Sequence, residues 1–165
     1  MIRLVPMTPE SFDLFLERDI ADYAAEKVKA GNWSADEALQ RSRDEHLKLL
    51  PDGLATAGHH FYTIQDDETQ ENVGILWLAE ERGWAEPTGF IYDLFIEERF
   101  RQRGFASQAM LALEDKAREL GLETLALHVF GFNQAARRLY EKLGYEITNI
   151  NMAKKLKPQK LSSGA

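Results

Sequence analysis

The chain has 165 residues, 44% of them hydrophobic, with 27 acidic against 20 basic side chains, a formal charge of -7 and no cysteine. That length suits one sizeable core and is short for two. The acidic excess disfavours a nucleic-acid backbone as partner, since such binding needs clustered positive charge, and the missing cysteines remove a thiol nucleophile and every thiolate metal site. No run of eighteen apolar residues and no charged-then-apolar leader occurs, so neither a membrane partner nor a signal peptide is expected, and a reducing, cytoplasmic setting fits the absence of cysteine.

In chain order, "MIRLVPM" reads as a short strand. Thr8 as N-cap and Pro9 at the first helical position predict a helix that ends near Gly31. Ser34 and Glu37 have capping-box spacing for a second helix, stopping around "LLPDG". "HHFYTIQ" and "VGILWLAE", joined by the polar "DDETQEN", are predicted to pair as antiparallel strands, and a loop with glycine and proline leads to a third strand, "TGFIYDLFI". After Gly104, the three- and four-residue spacing of Ala106, Ala109, Met110, Leu113, Ala117 and Leu120 predicts a helix closed by Gly121. "ETLALHVF" is a strand, "NQAARRLYEKL" a helix capped by Asn133 and ended by Gly144, and "YEITNINMAKKL" a last strand. The tail from Lys157 has no pattern and is expected to be disordered. The order is that of one α/β (α+β) domain over residues 1–156, with an antiparallel meander first and strand-helix-strand-helix after it.

The turn "FRQRGFA" joins a strand to a helix through Arg99, Arg101, Arg103 and Gly104. Such a turn aims unpaired backbone N–H groups at one point, where the helix dipole adds partial positive charge, and it therefore reads as an anion cradle. A solvated turn beside Glu97 and Glu98 accounts for the same residues, and the spacing alone does not separate the two.

Two segments then carry a resemblance. "RQRGFA" resembles the Arg/Gln-x-x-Gly-x-Gly/Ala signature of the GCN5-related N-acetyltransferase (GNAT) family, and "HVFGFNQAARRLYEKLGYE" is similar to its later segment, in which an asparagine opens a helix followed by Ala-x-x-Leu-Tyr-x-Lys-x-Gly-Tyr. The likeness covers about residues 70 to 155, and the first part of the chain looks like a group of bacterial members. It implies the acetyltransferase fold, a mixed central sheet with the strands "TGFIYDLFI" and "ETLALHVF" splayed apart and flanked by helices. It also implies acetyl-coenzyme A (acetyl-CoA) as co-substrate. The main chain of Leu94, Phe95 and Ile96 would then bond the pantetheine arm, and the amides of Arg101, Gln102, Arg103, Gly104, Phe105 and Ala106 would hold the pyrophosphate, aided by the side chains of Arg101 and Arg103. Asn133 sits where the family has a cofactor contact, and a helix N-cap explains it equally.

The resemblance implies an acyltransferase that moves an acetyl group to a primary amine. Without cysteine, the simplest route is direct attack of the amine on the thioester in a ternary complex. Tyr140, two helical turns after Asn133, is the candidate general acid for the departing thiolate, with core packing as its other reading. Asp93 is the candidate base near a position where relatives carry a carboxylate, although strand alternation leaves its face open, and His128 or water are alternatives. His59 and His60 are neighbours on a strand and face opposite ways, so no metal site is expected. The acceptor is a small-molecule or peptide amine, and "YEITNINM" offers an edge for a homodimer. The rival class is an acetyl-CoA-binding sensor without turnover, against which Tyr140 speaks.

Overall fold

The computed structural model describes residues 1–158. Its elements in chain order are β1 (Ile2–Pro6), α1 (Pro9–Lys29), α2 (Ala35–Leu49), β2 (His59–Asp66), β3 (Asn72–Glu81), β4 (Thr88–Ile96), α3 (Phe105–Glu119), β5 (Thr124–Leu127) and α4 (Gln134–Lys142). Local chemistry sets most of the helix ends. Thr8 Oγ1 accepts from the Ser11 N–H at 3.2 Å and opens α1, and Asn133 Oδ1 accepts from the Ala136 N–H at 3.1 Å and opens α4. Ser34 precedes α2 with cap-like backbone angles but makes no side-chain cap bond, so the predicted capping box is not formed.

The strands form one mixed sheet in the order β1-β2-β3-β4-β5. β1 to β4 are a continuous antiparallel meander, and the crossover through α3 makes β5 parallel to β4. Alternation along β3 sends Leu76 and Leu78 to one face, where they meet Met110 and Leu113 of α3 together with Tyr140 and Leu143 of α4. It sends Trp77 to the other face, where Phe12 and Phe15 of α1 join Phe61 and Leu50. Trp77 is 1% exposed, edge-on to Phe15 at 5.8 Å and stacked on Phe61 at 5.3 Å.

One close approach fixes the end of β4 against β3. A Cβ on Gly74 would collide with the main-chain carbonyl of Phe95 and lie 3.0 Å from Ile96 Cδ1. Glycine is what lets the two backbones sit this near.

Two sequence expectations change. "ETLALHVF" shortens to four paired residues, Thr124–Leu127. The predicted last strand "YEITNINMAKKL" is absent: residues 146–156 carry no regular structure and are exposed, with Ile147 at 58% and Ile150 at 70%. The period-two pattern is there, but a strand needs a ladder to satisfy its N–H and C=O groups, and β5 is too short to supply one. That segment therefore contributes no sheet edge. The disordered tail expected from Lys157 lies, from residue 159 on, outside the described residues.

Because Trp77 holds α1 to the sheet through rings from two other elements, Trp77→Ala is expected to cost about 3–5 kcal/mol, read as a lower denaturant midpoint at unchanged slope. A loss under about 1 kcal/mol would show that the helical layer does not lean on this residue.

Candidate active site

The site begins where two strands part. β4 and β5 pair from Thr88 with Thr124 to Ile91 with Leu127 and no further, so residues 92–96 of β4 keep β3 on one side and have no strand on the other. The splay expected of "TGFIYDLFI" and "ETLALHVF" is thus present. The main chain of Leu94, Phe95 and Ile96 lies along the open edge, and the Ile96 carbonyl accepts from Arg101 Nε at 3.0 Å.

At the parting point β4 bulges. Trp77 pairs with Asp93 and Leu78 with Ile91, which leaves Tyr92 as the extra residue. Alternation is broken there. Ile91 and Leu94 lie on the α3 face, whereas Tyr92 stacks on Trp77 at 4.6 Å and Asp93 bonds Arg18 of α1. Two consecutive side chains therefore point to the α1–α2 face, and the open question about Asp93 is answered by the bulge.

Asp93 sits in a charged cluster. Arg18 Nη2 donates to Asp93 Oδ2 at 2.6 Å while its guanidinium covers the Phe95 ring at 3.9 Å. Burial, together with the charge of Asp19, pushes the Asp93 carboxyl well above the usual carboxylate range despite Arg18. Behind it, His46 of α2 is 6% exposed. Its Nε2 lies 2.9 Å from Asp19 Oδ2 and its Nδ1 2.8 Å from the Ser42 carbonyl. Burial pulls the imidazole down, but the bonds to Asp19 and Ser42 and the charges of Asp19 and Glu45 more than offset this, and the net shift is upward.

Tyr140 approaches from α4 on the other side of the sheet, packed beside Tyr145 with ring centroids 5.8 Å apart. Burial, then the charges of Asp93 and Glu26, push its hydroxyl up to about 12. The tyrosine and the aspartate thus feel each other across the parting of β4 and β5. His128 lies just past the end of β5, edge-on to Phe130, and burial and the charge of Lys27 hold it below its ordinary value. His59 accepts from Trp77 Nε1 at 3.0 Å and His60 meets Glu80 at 2.8 Å, so the two do turn to different partners.

The cradle follows β4. Gln102 and Gly104 have φ of +60° and +81°, and α3 starts at Phe105 with no side-chain cap. Among the described residues, no acceptor is bonded to the N–H groups of residues 102–107. Alternating hands of this kind turn successive N–H groups inward, as in an anion-binding nest. A Cβ on Gly104 would meet nothing nearer than Gln108 Nε2 at 3.9 Å, so glycine is required there by the left-handed backbone and leaves an open approach. The three arginines divide. Arg99 is paired with Glu97 and Glu71, Arg101 is tied to Ile96, and Arg103 lies over Phe100 with no carboxylate partner among the described residues. An unsatisfied ring of donors with two arginines free of carboxylates fits a pyrophosphate.

The family model described as "Acetyltransferase (GNAT) family" matches residues 25–145. The chain belongs to that family. YycN of Bacillus subtilis, an uncharacterised N-acetyltransferase, is 42% identical over 155 residues, covering 94% of this chain and 99% of its own. YdgE of the same organism, also an uncharacterised N-acetyltransferase, is 38% identical over 153 residues, covering 93% and 97%. The crystal structure of YycN superposes with a TM-score of 0.90, covering 96% of this chain and all of that one. AAC(6')-Iy bound to the bisubstrate analogue CoA-S-monomethyl-acetylneamine shares the fold at 15% identity, with a TM-score of 0.58 over 96% and 99% of the chains.

Arg18, Asp19 and His46 went unmarked in the sequence because two helices contribute them and nothing local signals their meeting. The only hint is that Asp19 lies one residue from the core-facing Ile20, and His46 lies four residues, one turn, after the buried Ser42.

His46 and Asp93 are both held above their ordinary values, so each stabilises the fold when protonated. For His46 that contribution is complete below its ordinary value of 6.5 and is lost as pH rises through its higher folded value. The melting temperature of the wild type relative to His46→Gln is therefore expected to be most favourable near pH 6 and to fall by pH 8.5. A difference constant over that range would contradict the upward shift.

Proposed function

We propose that this chain is an acetyl-CoA-dependent N-acetyltransferase acting on a primary amine, formed as a single domain over residues 1–156, with the amine attacking the thioester directly in a ternary complex. The observation that carries this is the opening where β4 and β5 separate, with Asp93 fixed beside it by Arg18 and the unbonded N–H groups of residues 102–107 following β4. Tyr140 of α4 lies close enough for the Asp93 charge to raise its hydroxyl.

In this proposal, the nest of residues 101–106, with Arg101 and Arg103, holds the pyrophosphate, and the free edge of Leu94, Phe95 and Ile96 bonds the pantetheine amides as a neighbouring strand would. That a related fold carries a CoA-containing analogue supports the assignment. The Asn133 carbonyl oxygen is committed to capping α4, which leaves its amide N–H groups for the cofactor arm.

The chemistry needs two proton movements in opposite senses. The acceptor arrives as an ammonium ion and must lose one proton before its lone pair can attack. Asp93 suits this step, because a carboxyl whose proton affinity is raised by burial is a better base than an exposed one, and the Arg18 bond fixes its oxygen. Asp22 and Glu26 follow Arg18 on α1, and burial and the charges of Asp19 and Asp22 push Glu26 upward. An ammonium group relieves that repulsion. On collapse of the tetrahedral adduct the thiolate takes a proton from Tyr140, and the nitrogen's second proton restores the tyrosine. An ordinary thiol takes up a proton at about 8.5, so a hydroxyl near 12 donates to the thiolate only as the carbon–sulfur bond breaks and the nitrogen's proton is delivered in the same event.

Tyr140→Phe keeps the ring and its packing against the α3-face core and removes only the hydroxyl. It is expected to leave the melting temperature nearly unchanged and to slow thiol release from acetyl-CoA by roughly 10² to 10⁴ with the best acceptor of an amine library. Equal rates in variant and wild type would remove the tyrosine from the reaction.

The cofactor site can be tested without an acceptor. Acetyl-CoA at a hundred times its dissociation constant is expected to stabilise the wild type by about 2.7 kcal/mol. Gly104→Val, which forces a β-branched residue into a left-handed conformation at the nest, is expected to abolish that gain. Undiminished cofactor binding in the variant would refute the cradle.

A further inference from the structure

Between α1 and the β3–β4 part of the sheet lies a cavity of about 280 Å³ that the transfer described so far does not use. Its apolar walls are Leu14 and Phe15 of α1, Ile75 of β3 and Phe95 of β4. Leu14 is 77% exposed, so one wall reaches solvent. Arg18 lines the cavity as well, and it joins this space to the opening between β4 and β5. The same guanidinium that covers the Phe95 ring at 3.9 Å donates to Asp93 at 2.6 Å. Any molecule held at Asp93 with a substituent in the cavity therefore passes Arg18.

Arg18 has donors to spare. A guanidinium carries five N–H groups in a fixed fork; Nη2 meets Asp93, whereas Nε has no hydrogen-bond partner among the described residues, Asp22 Oδ2 standing off at 3.6 Å. The side chain is 26% exposed, so the fork is open to a ligand. The helix also changes character at this residue. Before it, Leu14 and Phe15 face the cavity; one and two turns after it come Asp22 and Glu26. An ammonium ion brought to Asp93 comes close to the Arg18 guanidinium, and two like charges in a partly buried site repel. A carboxylate on the same molecule answers that charge through the spare donors.

We propose that the acceptor is an apolar α-amino acid, bound with its ammonium at Asp93, its carboxylate on the Arg18 guanidinium and its side chain in the cavity of Leu14, Phe15, Ile75 and Phe95. The inference rests on the acetyltransferase reading with Asp93 as base, and it names the acceptor for that reaction. An α-amino acid carries its two charges on neighbouring atoms of one carbon, which matches an aspartate and an arginine in direct contact. A cavity of this size suits a branched or aromatic side chain. Glu97, which also lines it, is already paired with Arg99 at 3.1 Å, so its charge is answered. A polyamine fits less well, because its further cations would meet Arg18 or apolar walls. The transfer exchanges a carbon–sulfur bond for a carbon–nitrogen bond; the ammonium gives one proton to Asp93 and another, by way of Tyr140, to the thiolate. The product has lost its positive charge and with it the contact to Asp93, which favours release.

The test has a kinetic arm and a binding arm, both on the full chain. In the first, L-leucine and L-phenylalanine are each compared with their amide and their decarboxylated amine, and with spermidine, by thiol release from acetyl-CoA. The amino acids are expected to exceed the decarboxylated amines in kcat/KM by roughly 10²-fold, with the amides between. Decarboxylated amines, amides or spermidine turned over as well as the amino acids overturn the assignment and leave the acetyltransferase reading standing. In the second arm, L-leucine is titrated into ¹⁵N-labelled chain with coenzyme A present, so that binding is seen without turnover. Leu14→Asp, a change at an exposed helix position that sets a carboxylate at the cavity wall, is expected to weaken leucine by roughly tenfold, with the melting temperature reporting that the variant is folded. No leucine binding by the wild type, or equal affinity in Leu14→Asp, overturns the cavity as its site. Leucine bound in the cavity with no thiol release from any of these amines marks failure of the acetyltransferase reading instead.

Discussion

Tyr92 is the one residue of β4 without a partner on β3, and much of the site follows from that extra residue. A regular strand would put Tyr92 and Asp93 on opposite faces. The bulge puts both on the α1–α2 face, so the tyrosine ring extends the Trp77 stack while the carboxylate reaches Arg18. It also falls one residue beyond the last β4–β5 pair, so the strand changes twist where it loses its parallel neighbour. The opening between the strands and the delivery of a carboxylate to it are consequences of one local irregularity.

Two kinds of electrostatics operate a short distance apart. At the start of α3 the charge is backbone in origin, an array of N–H dipoles that cannot titrate and stays positive at every pH. Around Asp93 the charge is carried by side chains that can exchange protons. The fold keeps these two fields apart by assigning one to the turn after β4 and the other to β4 and the facing helix α1.

Much of this was legible in the sequence. The strands and helices up to Leu143 follow from period, caps and glycine positions, and "RQRGFA" marked the turn because its requirement for a left-handed glycine is local. Asp93, Tyr140 and Asn133 were named from the resemblance of their segments to the family's, and they stand on or beside the expected elements. The parts that were not legible depend on pairs far apart in the chain. Nothing in "FIYDLF" announces that Tyr92 will be skipped by its partner strand. Asp19 and His46 stand 27 positions apart and meet only because α1 and α2 fold back on each other. The last strand failed for the opposite reason: its alternation is a local property, and the missing ladder is not. Sequence pattern proposes a strand, but a neighbour must accept it.

Gly74 bears on how loss of activity in this protein is to be understood. It lies on β3, and it offers no side chain that chemistry would use. Yet a methyl group there would push directly on the Phe95 carbonyl and on Ile96. These belong to the stretch of β4 whose other edge is open, and Arg101 is hung from the Ile96 carbonyl. A side chain at position 74 would therefore displace the open edge of β4 and the anchored arginine together. An inert glycine on a neighbouring strand thus acts as the spacer that sets the height of the open β4 edge, so a lesion there would reshape the opening from one strand away.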